Sequence, residues 1–194
     1  MKHFCSSSDA ALMGQKSPIH MHQVHSDVVD VLEDGMGPFQ DGVITQRRDV
    51  ALVIRHADCQ PIVLYDPGRE VLGAVHAGWR GMVSGIVQVA VRKMESRFGS
   101  DPSRLEVHIG PSLCPNHAEF KNFLTEFPPA FHPFQIRPHY FDLWAITKMQ
   151  LVEAGVHLHN IRVERVCTLC GSGNFFSFRR DKTKERNVTV AFLG

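Results

Sequence analysis

The sequence predicts an α+β fold, a mixed β-sheet sandwich flanked by helices. Three observations carry this expectation. Residues 50–54, 62–65 and 71–75 are short, continuous apolar runs, as strands covered on both faces require. Two segments, 81–98 and 143–152, repeat apolar residues at helical spacing. Helices and strands interleave irregularly, which argues against a regular βαβ alternation.

In chain order, residues 1–18 read as a loose N-terminal arm, and 28–33 alternate weakly, as a strand does. Gly35-Met36-Gly37-Pro38 is a turn, and Asp41-Gly42 leads into Val43-Ile44-Thr45. The three apolar strands follow, with Asp66-Pro67-Gly68 closing the second. Gly81 opens a helix whose apolar face is Met82, Val83, Ile86, Val87, Ala90, Met94 and Phe98, and Gly99 ends it. Residues 105–109 read as a strand broken by Gly110-Pro111-Ser112. Residues 116–127 read as a helix that stops at Pro128-Pro129, and 131–141 as a long loop. Asp142 caps a second clear helix carrying Leu143, Ile146, Met149 and Val152, with Gly155 at its end. Residues 161–166, 175–178 and 188–193 complete a set of about eight strands and three helices.

The 194 residues fit one domain, 1–194, and the 43% apolar content is ample for its core. Charge is balanced, 21 basic against 20 acidic residues, so nothing in it argues for nucleic acid as a partner. No apolar run approaches the ~20 residues of a membrane span, and the N-terminus lacks the apolar stretch of a signal peptide. Five scattered cysteines, an odd number, fit a reducing compartment, so a cytoplasmic location is expected. Arg179-Arg180-Asp181-Lys182 reads equally as a solvated turn or as an anion site.

The chemistry concentrates in three turns: Gln23-Val24-His25-Ser26, Ala57-Asp58-Cys59-Gln60-Pro61 and His76-Ala77-Gly78-Trp79-Arg80-Gly81. Two imidazoles and one thiolate, if they converge, make the three-ligand set that holds zinc and leaves a fourth position open, the mark of a catalytic site. Cys59 and His76 fall at strand ends, where side chains reach a shared cleft. A Cys59 nucleophile activated by His76 is the metal-free alternative. Asp58 beside Cys59 is costly to bury without a task or a partner. Small residues around His76 let a ligand approach the backbone, Trp79 offers an aromatic wall, and Arg80 a fixed positive charge. The helix opening at Gly81 adds a natural anion site. Cys167-Thr168-Leu169-Cys170 lacks a visible second pair and reads as local packing; Cys5 and Cys114 carry no signal.

With these turns the sequence resembles the YfiH family, also called the laccase-domain or multicopper polyphenol oxidase-like family. The resemblance rests on Gln23-Val24-His25, Asp41-Gly42-Val43-Ile44-Thr45, Ala57-Asp58-Cys59-Gln60-Pro61, His76-Ala77-Gly78-Trp79-Arg80-Gly81 and Ile109-Gly110-Pro111-Ser112. It continues through Phe141-Asp142-Leu143, Gln150-Leu151, Cys167-Thr168 and the 175–181 segment, in the family's order. The sequence departs from the pattern in lacking a glycine-rich start and an Asn-Arg pair before residue 23. It also has Arg55-His56 ahead of Ala57, and Glu185-Arg186 where Gly-Arg is common.

The resemblance implies an α+β sandwich and zinc on His25, Cys59 and His76. It implies phosphorolysis of adenosine, inosine, guanosine or methylthioadenosine, and deamination of adenosine. The expected partners are a small-molecule nucleoside and phosphate, with no nucleic acid and no membrane. Asp58 is expected to shuttle a proton beside Cys59, and Arg80 and the helix end at Gly81 to hold the phosphate. The alternatives are a copper-dependent polyphenol oxidase, a Cys/His hydrolase acting on peptidoglycan precursors, and an inactive zinc-binding scaffold.

Overall fold

The computed structural model describes residues 2–6, 16–35 and 37–194. Two sheets and a helical layer make up the fold. The larger sheet runs β11 (Ile161–Val163), β8 (Glu106–Ile109), β6 (Gln60–Asp66), β7 (Val71–Ala77), β4 (Gly42–Thr45) and β3 (Val29–Val31). Its outer pairs, β11/β8 and β3/β4, are parallel and its centre is antiparallel. The smaller sheet runs β1 (Lys2–Ser6), β12 (Asn187–Phe192), β5 (Val50–His56) and β2 (Ser17–His20), with β2 parallel to β5.

The apolar runs acquire their reason from this layering. Along a strand successive side chains point to opposite faces. Val43, Val63, Leu72 and Ala74 face the smaller sheet and pack with its Val50, Leu52, Ile54 and Ala191. Their neighbours Ile44, Ile62, Leu64, Val71 and Val75 face the other way, onto α2 (Ile86–Phe98) through Ile86, Val87, Ala90, Val91 and Met94. The central strands are therefore covered on both sides. A third cluster, rich in phenylalanine, joins Phe120, Phe127, Phe131 and Phe141 to Met82, Leu143 and Ile146.

Several sequence expectations are corrected here. The expected arm carries two strands, β1 on β12 and β2 on β5, and residues 7–15 between them lie outside the described residues. The helix expected from Gly81 begins at Trp79 and breaks into α1 (Trp79–Val83) and α2, because Gly85 takes a left-handed conformation (φ +78°) between them. Most of 116–127 is not helical: the Phe120 N–H donates to the His139 carbonyl and the Phe141 N–H to Ala118, leaving only α3 (Phe123–Glu126). The loop expected over 131–141 holds the hairpin β9 (Gln135–Arg137) and β10 (Tyr140–Phe141). Residues 175–178 form no strand. The Asn187 side chain takes both backbone groups of Phe176 (2.9 and 2.8 Å), and Ser177 caps α5 (Phe178–Asp181). The Asp142 cap stands as expected at α4 (Leu143–Glu153), its carboxylate accepting the Ala145 N–H at 2.9 Å.

A candidate thiolate and imidazole metal centre

Cys59 ends the turn into β6, and His76 lies near the end of β7. The two strands are adjacent and antiparallel, with Pro61 opposite His76, so their register brings the two side chains to one sheet edge. His25 arrives from a loop that Gln23 clamps to β5, its amide bonding both backbone groups of Arg55 (2.6 and 2.9 Å). The structure thus brings His25, Cys59 and His76 together. One donor atom from each lies within 4.8 Å of the others, with 3.7 Å between Cys59 Sγ and His25 Nε2. This set can hold a metal ion.

Asp41 is the residue that sequence reasoning missed. Fully buried, its carboxylate accepts from five donors: the backbone N–H groups of Val24 (3.1 Å), His25 (3.0 Å) and Ser26 (2.7 Å), the Ser26 hydroxyl (2.8 Å) and His76 Nδ1 (2.8 Å). One side chain therefore shapes the His25 loop and fixes the His76 ring. With Nδ1–H donated to Asp41, Nε2 is left as the ligand atom, the usual carboxylate–histidine support of a metal ligand. An acid directly ahead of a glycine and an apolar strand, in a segment that already carries the family resemblance, was the available signal.

The electrostatics follow from the same contacts. Burial pushes the Asp41 carboxyl up, but the His76 bond and the Ser26 and Val24 donors outweigh it and hold the pKa at about 2. Burial opposes charge on His76, yet Asp41 and the Cys59 sulfur raise it to about 9. Burial likewise opposes the Cys59 thiolate, and the two imidazoles bring the thiol down to about 6. In metal-free protein, iodoacetamide alkylation of Cys59 is therefore expected to rise as pH increases through about 6 and to level off above it. An ordinary thiol climbs until about pH 9. Peptide mass spectrometry across pH 4–10, with zinc added back to suppress the reaction, checks this.

The glycines of the third turn serve a purpose other than the one expected. A Cβ on Gly78 would stand 2.4 Å from His25 Cδ2 and 3.3 Å from Cys59 Sγ, and one on Gly81 would stand 2.6 Å from the Ser26 carbonyl oxygen. The chain needs them small so that the His25 loop can close over the turn. Gly81 accordingly packs against Ser26 and does not open a helix toward an anion: α1 starts two residues earlier, at the Gly78 cap. The Gly78 backbone (φ −72°, ψ 164°) suits any residue, so the contact alone decides its substitution. Gly78→Ala is expected to lower the affinity of this set for a metal ion by about 10–100-fold, as loss of ligand support does. Titration calorimetry alongside an unchanged far-UV spectrum is the check.

Asp58 lines the cleft beside Cys59, with its carboxylate already engaged. Its oxygens accept from the Thr168 hydroxyl (2.8 Å) and the Arg179 N–H (2.6 Å), and its backbone is left-handed (φ +88°). It braces the start of α5 against the turn that carries Cys59.

The centre opens on a cleft of about 750 Å³, within the range of small-molecule sites. Trp79, Phe120, Leu113 and Phe178 supply its apolar walls, and Arg55, Arg80, Arg179, Lys182, Lys184 and Arg186 its charge. The Arg80 guanidinium lies over the Trp79 ring, 4.2 Å from its centroid. The 179–182 cluster divides between its two readings. Arg179 and Lys182 line the cleft, while Arg180 pairs with Asp181 (2.7 Å) and the Leu169 and Phe175 carbonyls.

An α+β sandwich with a Cys/His set on a cleft lined by basic side chains defines the structural class of this chain. Within it, the chain belongs to the family described as multi-copper polyphenol oxidoreductase laccase, whose profile matches residues 5–193. It is 35% identical over 185 residues to the purine nucleoside phosphorylase ORF3 of Streptomyces griseus, covering 90% of this chain and 74% of that one. Purine nucleoside phosphorylase SCO2081 of Streptomyces coelicolor is similar at 35% over 186 residues, with the same coverage. The crystal structure of the hypothetical protein YfiH from Bacillus licheniformis superposes with a TM-score of 0.82 at 27% identity, over 93% of this chain and 76% of that one. No helix is long and apolar enough to cross a membrane among the described residues.

Proposed function

We propose that this chain is a zinc-dependent purine nucleoside phosphorylase that also deaminates adenosine, with His25, Cys59 and His76 as the metal ligands. The observation that carries this reading is the convergence of two imidazoles and one thiolate at the mouth of a cationic, aromatic-walled cleft of about 750 Å³. The names of the Streptomyces relatives support the nucleoside and the reaction class. The donor set fits zinc, a borderline-soft ion: two neutral nitrogens and one anionic sulfur, with no fourth protein ligand among the described residues. When bound, zinc supplies Lewis-acid chemistry near neutral pH.

The chain's own residues do the rest. Asp41 fixes the tautomer of His76 and the loop of His25, so that the centre is organised before any ligand arrives. Trp79, Phe120 and Phe178 offer flat apolar faces to a purine base. Arg80, stacked on Trp79, is placed to hold a phosphate, and the remaining basic side chains raise the local concentration of anions. In phosphorolysis a phosphate oxygen bonds to C1′ as the bond from C1′ to the base breaks. Asp58 acts here as a positioning residue for the Cys59 turn and α5.

The test is incubation of purified protein with inosine or adenosine, with and without phosphate, products being resolved by chromatography, alongside metal analysis. The reading expects phosphate-dependent release of the free base, phosphate-independent inosine from adenosine, and bound zinc, all lost in His76→Ala. Absence of base release above that variant overturns it, and stoichiometric copper with oxidation of a phenol redirects it to the oxidase.

A further inference from the structure

A second cluster of soft ligands lies on the far side of the cleft wall. Cys114 and His117 stand three residues apart on a tight turn in which the His117 and Ala118 N–H groups both donate to the Cys114 carbonyl (3.0 and 3.1 Å). Cys167 and Cys170 stand three apart on another, closed by the Gly171 N–H to the Cys167 carbonyl (2.8 Å). The turns are locked side by side: Ser112 bridges Cys167 in parallel register, and the Cys114 N–H donates to Cys167 Sγ at 3.4 Å. The second pair that the lone Cys-x-x-Cys of the sequence lacked is thus a Cys-x-x-His more than fifty residues upstream.

The four donor atoms are close enough together to share one tetrahedral ion. Zinc–sulfur bonds of about 2.3 Å and zinc–nitrogen bonds of about 2.0 Å at tetrahedral angles separate neighbouring donors by about 3.5–3.8 Å. Here the four donor atoms lie within 4.8 Å of one another, with His117 Nδ1 at 3.1 Å from Cys114 Sγ and 3.7 Å from Cys167 Sγ. We propose that Cys114, His117, Cys167 and Cys170 form a second metal site, a closed structural zinc site that ties the 111–118 turn to the 166–171 turn. Four protein ligands leave no open position, and three sulfurs with one nitrogen favour zinc over the harder divalent ions.

The position of the cluster gives the site its role. Residues of both turns reach through the wall to the cleft. The Leu113 N–H donates to the Asp58 carbonyl (3.1 Å) and Thr168 Oγ1 to the Asp58 carboxylate (2.8 Å). The His117 carbonyl accepts from the Arg179 guanidinium (2.9 Å). A metal joining the turns therefore fixes Asp58, Cys59 beside it, and Arg179 from behind, without touching the reacting groups. The second cluster shares no ligand with the first centre.

The experiment is zinc analysis of full-length protein purified under reducing conditions without added metal, compared with two variants. Wild type is expected to hold about two zinc ions per chain, Cys59→Ala about one, and Cys170→Ser, altered at the exposed ligand, about one. Cobalt(II) exchanged into Cys59→Ala is expected to show the intense visible bands of a tetrahedral, sulfur-rich site, a readout that needs no variant of the second cluster to fold. Zinc unchanged in Cys170→Ser, or none in Cys59→Ala together with no tetrahedral cobalt spectrum, overturns the proposal. So does a Cys167–Cys170 disulfide found by mass spectrometry in the freshly purified protein. A protein with one zinc that Cys59→Ala keeps and Cys170→Ser loses supports the second site while failing the first.

Discussion

Asp41→Asn is expected to destabilise the fold by about 3–5 kcal/mol, the scale of breaking a buried, hydrogen-bonded charge pair. Asparagine has nearly the same shape but only one acceptor oxygen. Its NH₂ group would face N–H donors from the His25 loop or from His76, so two or more buried donors lose their partner. For a chain of this length the loss corresponds to a melting temperature lower by about 10 °C. The pH profile distinguishes this from a general packing defect. Because Asp41 titrates at about 2 in the fold against 3.8 ordinarily, its stabilisation is fully present above about pH 4 and disappears as pH falls toward 2. Wild type and Asp41→Asn should therefore differ most in thermal melts above pH 4 and converge as the acid limb is descended. A gap that stays constant from pH 6 to pH 2 would contradict the assignment. The variant should also bind zinc at the first centre about 10–100-fold more weakly, since it frees the His76 ring to turn.

If the proposed function holds, Cys59→Ala is expected to lower kcat/KM for phosphorolysis by about a thousandfold. Charge sets the size of the effect: a bound Lewis acid contributes several kcal/mol to stabilising a developing charge, and each 1.36 kcal/mol is a factor of ten in rate. Removing the one anionic ligand leaves two imidazoles, one of them on an exposed loop, to hold a dication. The fold should survive, because Cys59 lines the cleft and belongs to none of the packed clusters. Steady-state kinetics with inosine and phosphate, paired with a thermal melt, separates the two effects. A tenfold loss or less would place the thiolate outside the chemistry, and a collapsed melt would assign it to structure.

The parts of the fold that local pattern governs were legible in the sequence. The buried strands β5, β6 and β7, the glycine-ended α2 and the Asp142 cap of α4 each follow from neighbouring residues. The parts decided by distant partners were not. Asn187 satisfies the backbone of Phe176 from eleven residues away and so removes an expected strand, and the His139 carbonyl pulls Phe120 out of an expected helix. The site divides in the same way. His25, Cys59 and His76 stood out by residue type at turns, and the family pattern singled them out. Asp41 did not, because its five donors come from the 24–26 loop and from β7. Cys114 and His117 were unreadable for a related reason, since their partners lie beyond residue 160 and only a parallel bridge brings them near.

The hairpin of β6 and β7 carries Cys59 and His76 near its open end and Asp66-Pro67-Gly68 at its turn. Six strand residues separate the two, about 20 Å at 3.3 Å each. The turn is exposed, and the Asp66 carboxylate closes it locally through the Gly68 and Arg69 N–H groups. It is therefore a natural attachment point: a fluorophore or surface tether fixed at residue 67 would sit at the opposite end of the hairpin from Cys59 and His76, coupled to the centre through two paired strands yet out of reach of it.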